Sequence, residues 1–415
     1  MKSMNLEIHS IGLDIGSSCV RCVIGEAADN GRMNIVGIGE AESRGLRRGI
    51  VTSAEAVSEA IRRAVGEAER VSGLEAEAAM VNLSGEHFRG ENKAGVVAVA
   101  GAGREITEDD VSRAVESASA MQLPAGWEIF SRLPQEFIVD GQDGITEPVG
   151  MSGARLESLV HIVIGPSAGR QNLDKAIGRA GLDVERMMLE PLAAAESTLT
   201  DDDKEYGCAL VNIGSEITSI MVFSRGAVQH TAVFPFGSLH FTKDIAVGLR
   251  VSIQEANKIK HDFGCVAGFL MSDEERQQVI EIVPVGRSES RRLSKEILCD
   301  IMQPRAVELL QHIAHEIAKT QSSIPSGVVL AGGGSLARGM VEIAEQVFDA
   351  PTRLGFLEAK YFGGLAGEVQ SPAWAVACGL ALSSVRSQLR EHNSHGRSKS
   401  KKVAAWFENF REKFR

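Results

Sequence analysis

The stretch IHSIGLDIGSSCVRCVIG (8–25) sets two short apolar runs around Gly16-Ser17-Ser18, the pattern of a strand, a tight turn and a returning strand. Its centre, Gly12-Leu13-Asp14-Ile15-Gly16-Ser17, returns as Leu210-Val211-Asn212-Ile213-Gly214-Ser215, where CALVNIG (208–214) leads into ITSIMVF (217–223) in the same way. The echo predicts two similar halves, each opening on a hairpin. A third glycine turn lies in GVVLAGGGSLARGM (327–340), which reads as a buried strand, a glycine loop and the start of a helix.

Between these anchors the pattern is that of an α/β protein. Val57, Ile61, Ala64, Val65, Ala68 and Val71 recur at helical spacing, with Thr52 and Glu55 in capping-box positions and Gly73 just past the end. AAMVNLSG (78–85) and GVVAVAG (95–101) read as strands, and Thr107 with Asp110 opens a second helix. LVHIVIG (159–165) is a near-continuous apolar run of the kind buried on both faces of a sheet. A small mixed module over 84–160 is the natural division. Further helices are expected over 252–262 and from Arg305 to Gln321, and beyond Leu382 the apolar pattern stops.

Composition narrows the class. With 415 residues, 44% hydrophobic and 24% charged, the chain is that of a folded protein of two or more domains. Its net charge of −11 disfavours a general nucleic-acid-coating role, so no nucleic-acid partner is expected. No run of eighteen apolar residues occurs and the start alternates polar with apolar, so neither a membrane span nor a secretory leader is expected. Six scattered cysteines suit a reducing cytoplasm better than a disulfide framework.

The glycine turns carry the candidate chemistry. A turn of Gly and Ser can aim successive backbone N–H groups at a phosphate, because no side chain intervenes. Asp14 beside it is a candidate for holding Mg²⁺ through water. Three such turns suit a nucleotide held between two lobes; tight connections without a ligand are the plain alternative. Glu190, ahead of Pro191, is a candidate for orienting an attacking water, or simply an acidic first-turn residue. Cys19 and Cys22 form a CxxC pair, but residues three apart on a strand face opposite ways, so packing rather than metal ligation is expected. Arg287, Arg291 and Arg292 are candidates for receiving an acidic peptide, or a solvated face.

These motifs together resemble those of the actin-like ATPase superfamily, and within it the FtsA family of bacterial cell-division proteins. LDIGSS (13–18) resembles a first phosphate hairpin, LVNIGSEIT (210–218) the second and VLAGGGS (329–335) the adenosine motif. LEPLAAAES (189–197) and AWAVACGLAL (373–382) resemble the two interdomain connections, and SRGLRRG (43–49), PQEFIVD (134–140) and GITEPVGMSGARLE (144–157) are the more family-specific stretches. The resemblance implies a two-lobed actin-like fold, as in actin and Hsp70, with a small subdomain inserted in the first lobe. The expected division is 1–83 with 161–195 for the first lobe, 84–160 for the insert, 196–240 with 306–383 for the second lobe, and 241–305 for its smaller subdomain. A linker over 384–402 and an amphipathic helix over 403–415 complete it.

It also implies ATP with Mg²⁺ held by Asp14, Gly16, Ser17 and Ser18, by Gly214 and Ser215, by Lys260, and by Gly332, Gly333 and Gly334. The implied work is to polymerise head to tail and to tether FtsZ filaments, through the FtsZ C-terminal peptide, to the inner face of the cytoplasmic membrane during septum formation, with other division proteins as partners. Five residues depart from the family pattern: Cys19 stands for Lys, Asn212 for Asp, Ser215 and Glu216 for glycines and Asn257 for Glu. They point to binding with slow turnover. The alternatives are an active ATPase or phosphotransferase, such as a kinase or an Hsp70-like chaperone, and a nucleotide-free scaffold.

The tail has its own logic. Arg397 to Arg415 carries a net charge of +5, leaving −16 on the rest. Val403, Trp406, Phe407, Phe410 and Phe414 fall on one side of a helix, a stripe too apolar to leave in water. A basic flank beside an aromatic stripe suits an anionic lipid surface, with the helix in the membrane plane.

Overall fold

The computed structural model describes residues 8–28, 31–99, 105–286, 289–320 and 322–394. The first lobe opens with β1 (His9–Ile15), β2 (Cys19–Ala27), β3 (Met33–Glu42), the short pair β4 (Leu46–Arg47) and β5 (Ile50–Val51), then α1 (Ala54–Ser72) and β6 (Ala78–Leu83). The inserted module follows as β7 (Arg89–Ala98), α2 (Glu108–Ala118), β8 (Trp127–Val139), β9 (Gln142–Ile145) and β10 (Arg155–Pro166). The chain re-enters the first lobe through α3 (Ser167–Ala180) and β11 (Asp183–Leu189), and α4 (Glu190–Thr198) crosses to the second lobe.

That lobe holds α5 (Asp201–Tyr206), β12 (Cys208–Ile213), β13 (Thr218–Ser224), β14 (Ala227–Phe234), α6 (Ser238–Leu249), α7 (Ile253–Phe263), α8 (Asp273–Gln277), β15 (Val279–Ile282), β16 (Arg291–Ser294), α9 (Lys295–Ala318), β17 (Val328–Ala331), α10 (Met340–Phe348) and β18 (Thr352–Leu354). β19 (Phe362–Gly364) and α11 (Ala375–Ser394) end the described chain.

The two lobes have matching sheets. In the first the order is β11-β6-β1-β2-β3-β19, in the second β14-β13-β12-β17-β18, each with an antiparallel hairpin beside parallel strands. The hairpins are the two repeats of the sequence. The module forms a separate sheet, β7-β10-β8-β9, with β10 central and buried along most of its length.

Several expectations are corrected in detail. The cap of α1 is Ser53 rather than Thr52: its hydroxyl accepts from Ala56 N at 3.3 Å, while the N–H groups of Thr52 and Ser53 both donate to Gly45 O, at 2.8 and 3.0 Å, so the helix starts only at Ala54. α9 begins at Lys295 rather than Arg305 and runs through Pro304, because Leu298, Cys299, Met302, Ala306, Leu309 and Leu310 form one buried face across it. The second lobe does not extend to 383: β19 pairs with β3, and Phe362, Ala377, Cys378 and Ala381 pack on Val23, Met33 and Ile35 of the first lobe. Nor does a linker begin at 384. α11 continues to Ser394, with Val385 buried, Ser384 bonded to Glu185 at 2.7 Å and Gln388 to His9 O at 3.2 Å. Residues 395–415, including Val403, Trp406, Phe407, Phe410 and Phe414, lie outside the described residues.

One apolar core joins the parts. Leu133 and Val163 of the module, Met80 and Leu189 of the first lobe, Leu192 to Ala195 of α4, Leu210, Met221 and Val228 of the second lobe, and Val376 and Leu380 of α11 form a single cluster.

Candidate functional site

The two hairpin turns share the same atomic geometry. Gly16 N donates to Cys19 O at 3.0 Å and Gly214 N to Ile217 O at 2.9 Å. In both, a Cβ on the glycine would meet the facing carbonyl oxygen at 2.9 Å, so the turns require glycine. The first turn is held from beneath by Asn82 on β6, whose Oδ1 accepts from Ile15 N at 2.8 Å. The second is held by the chain entering α6, where Ser238 N donates to Gly214 O at 2.9 Å and Leu239 N to Ser215 O at 2.8 Å.

The glycine loop after β17 meets the second hairpin edge-on. Gly332 has φ of 80° and a Cβ there would lie 2.5 Å from Ile213 O, while one on Gly334 would lie 2.5 Å from Ile213 Cγ2. Gly333 differs: its nearest neighbour would be Ala373 Cβ at 3.9 Å, so its side-chain position faces open space.

Both hairpins, the glycine loop and the ends of α7 and α9 enclose a cleft of about 640 Å³ between the lobes. Every expected site residue lines it: Asp14, Gly16, Ser17, Ser18, Glu190, Gly214, Ser215, Lys260, Gly332, Gly333 and Gly334. Those expected for the acidic peptide do not. Arg291 and Arg292 are exposed on β16, Arg287 lies outside the described residues, and Arg305 is bound by Asp244 and Glu308.

The floor is acidic and buried. Burial pushes the Asp14 carboxyl up to about 6, against the pull of Arg21. Burial and the charge of Asp14 push Glu190 up to about 8, against hydrogen bonds from Ser84 and Asn212. Asn212 donates its amide to Glu190 Oε1, which leaves Glu190 Oε2 and Asn212 Oδ1 buried without partners. With Asp14 they make an all-oxygen donor set, which fits a hard cation such as Mg²⁺.

At the other end Lys260 donates to Thr242 Oγ1 at 3.0 Å, and burial lowers its ammonium to about 8. Cys19 also lines the cleft, hydrogen-bonded to Glu40 at 2.8 Å, whereas Cys22 points into the first-lobe core. Burial pushes both thiols up to about 12, so neither is a thiolate near neutral pH.

Asn82, Lys295 and Ser84 are among the lining residues that escaped the sequence reading. Asn82 sits in an apolar strand with no local signal of its role, Lys295 opens a helix whose start was misplaced, and Ser84 touches Glu190 only through the fold. Glu216 was legible as an acid in a phosphate-type turn, but its direction was not. Its Oε2 accepts from Arg48 N at 2.6 Å, in the loop between β4 and β5 of the opposite lobe.

Comparison with known proteins bears on the family and the fold. The family model "Cell division protein FtsA" matches residues 209–379, and "SHS2 domain inserted in FTSA" matches 85–164. Cell division protein FtsA of Pseudomonas aeruginosa is 38% identical over 380 residues, covering 91% of this chain and 89% of the relative. Among solved structures, the PilM-PilN type IV pilus biogenesis complex matches with a TM-score of 0.65 at 18% identity, covering 91% of this chain and 99% of that one. MreB5 of Spiroplasma citri bound to ADP matches with a TM-score of 0.55 at 12% identity, covering 94% and 99%. These structural likenesses show an actin-like fold.

Proposed function

The chain belongs to the FtsA family of cell-division proteins, and from that premise we propose that it binds ATP with Mg²⁺ between its lobes, polymerises head to tail and tethers FtsZ filaments to the cytoplasmic membrane at the division site. The observation that carries the nucleotide reading is the pair of glycine turns of equal geometry facing one cleft, closed by a third glycine loop. Backbone N–H groups of Ser17, Ser18 and Ser215, at the tips of the two turns, hold the phosphates, and Gly333 leaves room for the nucleoside. Asp14 would hold Mg²⁺, which would supply positive charge to offset that of the phosphates. Glu190 is the candidate to orient a water, and Asn212 and Glu216, where the family pattern has Asp and Gly, point to slow turnover.

Gly333→Arg tests this reading without breaking the fold, since the new side chain enters open space rather than backbone. ATP affinity measured by calorimetry falls below detection while the melting temperature is unchanged. Equal affinity in both proteins removes the site assignment.

The peptide and membrane roles rest on other surfaces. Val279 of β15 and, just beyond it, Val283 and Val285 are exposed, and β15 pairs with the strand that carries the exposed Arg291 and Arg292, which suits an extended peptide that is both apolar and acidic. Reversal of both arginines to Glu lowers affinity for the FtsZ C-terminal peptide and its salt dependence; no change moves the peptide site elsewhere. Among the described residues no helix is long and apolar enough to cross a membrane, so attachment falls to the tail, at the cytoplasmic face and as a peripheral protein.

A further inference from the structure

The floor of the cleft carries two buried acids, Asp14 and Glu190, where a phosphate chain needs positive charge. Most of the basic residues that line the cleft lie elsewhere: Lys260 and His261 on α7, Lys295 on α9 and Arg338 just before α10. Among the described lining residues Arg21 is the one cation on a phosphate-type hairpin. The register of β1 and β2 sets it opposite Asp14, and residues directly opposite in an antiparallel pair put their side chains on the same face. Asp14 in turn is two residues, about 7 Å of strand, from the turn glycine Gly16, and its carboxyl feels the pull of the Arg21 charge.

The guanidinium is incompletely satisfied in that position. Its Nη2 donates to Glu40 Oε1 at 3.0 Å and its Cζ lies 5.6 Å from the centre of the Trp374 ring, yet its Nε is buried and has no acceptor. A buried N–H left without an acceptor is costly, and an acceptor that arrives with a ligand removes the cost. The acid that holds Arg21 meanwhile holds it weakly. The Glu40 side chain is 45% exposed, and an ion pair to so exposed a carboxylate contributes little. The same Glu40 oxygen also accepts the Cys19 thiol at 2.8 Å. Cys19 lies on the same face of β2 as Arg21, two residues earlier, but as a neutral thiol it brings no charge to the turn. A guanidinium, by contrast, presents its donors in a fixed fork that fits two phosphate oxygens at once.

We propose that Arg21 is the residue that binds the phosphate farthest from the nucleoside, exchanging Glu40 for it when nucleotide enters, and that it thereby selects nucleoside di- and triphosphates over monophosphates. With the nucleoside beside Gly333, successive phosphates run towards the floor, and only the outer ones reach Arg21. This rests on the nucleotide reading of the cleft and deepens it.

The test is calorimetric titration of the full chain with AMP, ADP and ATP in Mg²⁺. Arg21→Met, which keeps the length of the side chain and removes its charge, weakens ATP about tenfold and leaves AMP within about twofold, and Arg21→Lys recovers part of the loss. A tenfold rise in Mg²⁺ does not restore ATP binding to Arg21→Met, because the lost contact is to phosphate and not to Asp14. Glu40→Gln removes the competing carboxylate and leaves ATP affinity undiminished. Should Arg21→Met fail to fold by circular dichroism, Arg21→Gln replaces it. Equal loss of AMP and ATP, recovery by Mg²⁺, or a Glu40→Gln variant as weak for ATP as Arg21→Met overturns the assignment and leaves the nucleotide reading in place. If the wild type binds none of the three nucleotides, both fail together.

Discussion

Glu216 Oε2 accepts the Arg48 backbone N–H at 2.6 Å across the mouth of the cleft, so an acid in the second phosphate-type turn is tied to the opposite lobe. Arg48 itself is held in the left-handed region, with φ of 49°, and its guanidinium reaches Glu86 at 3.2 Å. The acid is thereby turned away from the turn it sits in. Two contacts of one residue, Arg48, join the second lobe, the first lobe and the entry to the inserted module.

Removing that contact should be visible locally before it is visible globally. Glu216→Ala is expected to destabilise the protein by about 1.5–3 kcal/mol, the range for a hydrogen bond to a charged acceptor. Amide hydrogen exchange at Arg48 should quicken while exchange in β12 is unchanged. Unaltered protection at Arg48 would mean that the bond contributes nothing to holding the lobes.

The buried Glu190 predicts a pH dependence with a definite sign. Its carboxyl is raised from 4.5 to about 8 in the folded protein, so the folded state binds the proton more tightly than the unfolded state does. That contribution is complete below about 4.5 and is lost as pH rises through about 8. In nucleotide-free protein, Glu190→Gln should therefore be more stable than wild type at pH 9 and have little or no advantage at pH 5, measured by urea unfolding. A difference of constant size across that range would contradict the burial argument.

Two glycines in helices should respond oppositely to alanine. A Cβ on Gly379 of α11 would lie 1.7 Å from Ala193 O of α4, a backbone atom that cannot step aside, whereas Gly66 of α1 has nothing within 4 Å. Gly379→Ala is expected to cost about 1–3 kcal/mol or more, and Gly66→Ala to stabilise by up to about 1 kcal/mol. Thermal unfolding of the two variants decides it, and equal shifts would remove the close helix crossing.

The tail prediction concerns lipid. Deleting 403–415, or combining Trp406→Glu with Phe410→Glu, should release the protein from anionic liposomes in a sedimentation assay, since each cation near such a surface is worth about 1 kcal/mol and the aromatic stripe adds its buried area. Undiminished sedimentation of either variant would defeat the membrane tether.

The hairpins were readable because their chemistry is local: glycine where a facing carbonyl leaves no room for a Cβ, flanked by apolar runs. What escaped notice depends on partners far away in the chain. α11 runs past Leu382 because Ser384 and Gln388 find acceptors on β11 and β1, and hydropathy does not register polar packing of that kind. β19 crosses back to the first lobe because Met33 and Ile35 need a cover, and a three-residue strand has no signature of its own. Asn82 is one polar residue in an apolar strand, and only the neighbouring hairpin explains it.

The seat of α11 against β1 also governs when the molecule can form. Gly12 lacks a side chain because Ala377 O would otherwise lie 2.1 Å from its Cβ, so the wall behind the first phosphate turn is supplied by the end of the described chain. Synthesis at about 5–20 residues per second means that the N-terminal strands wait tens of seconds on the ribosome for the helix that seals them. A chain that stops before α11 leaves the Gly12 face of β1 without the helix that covers it.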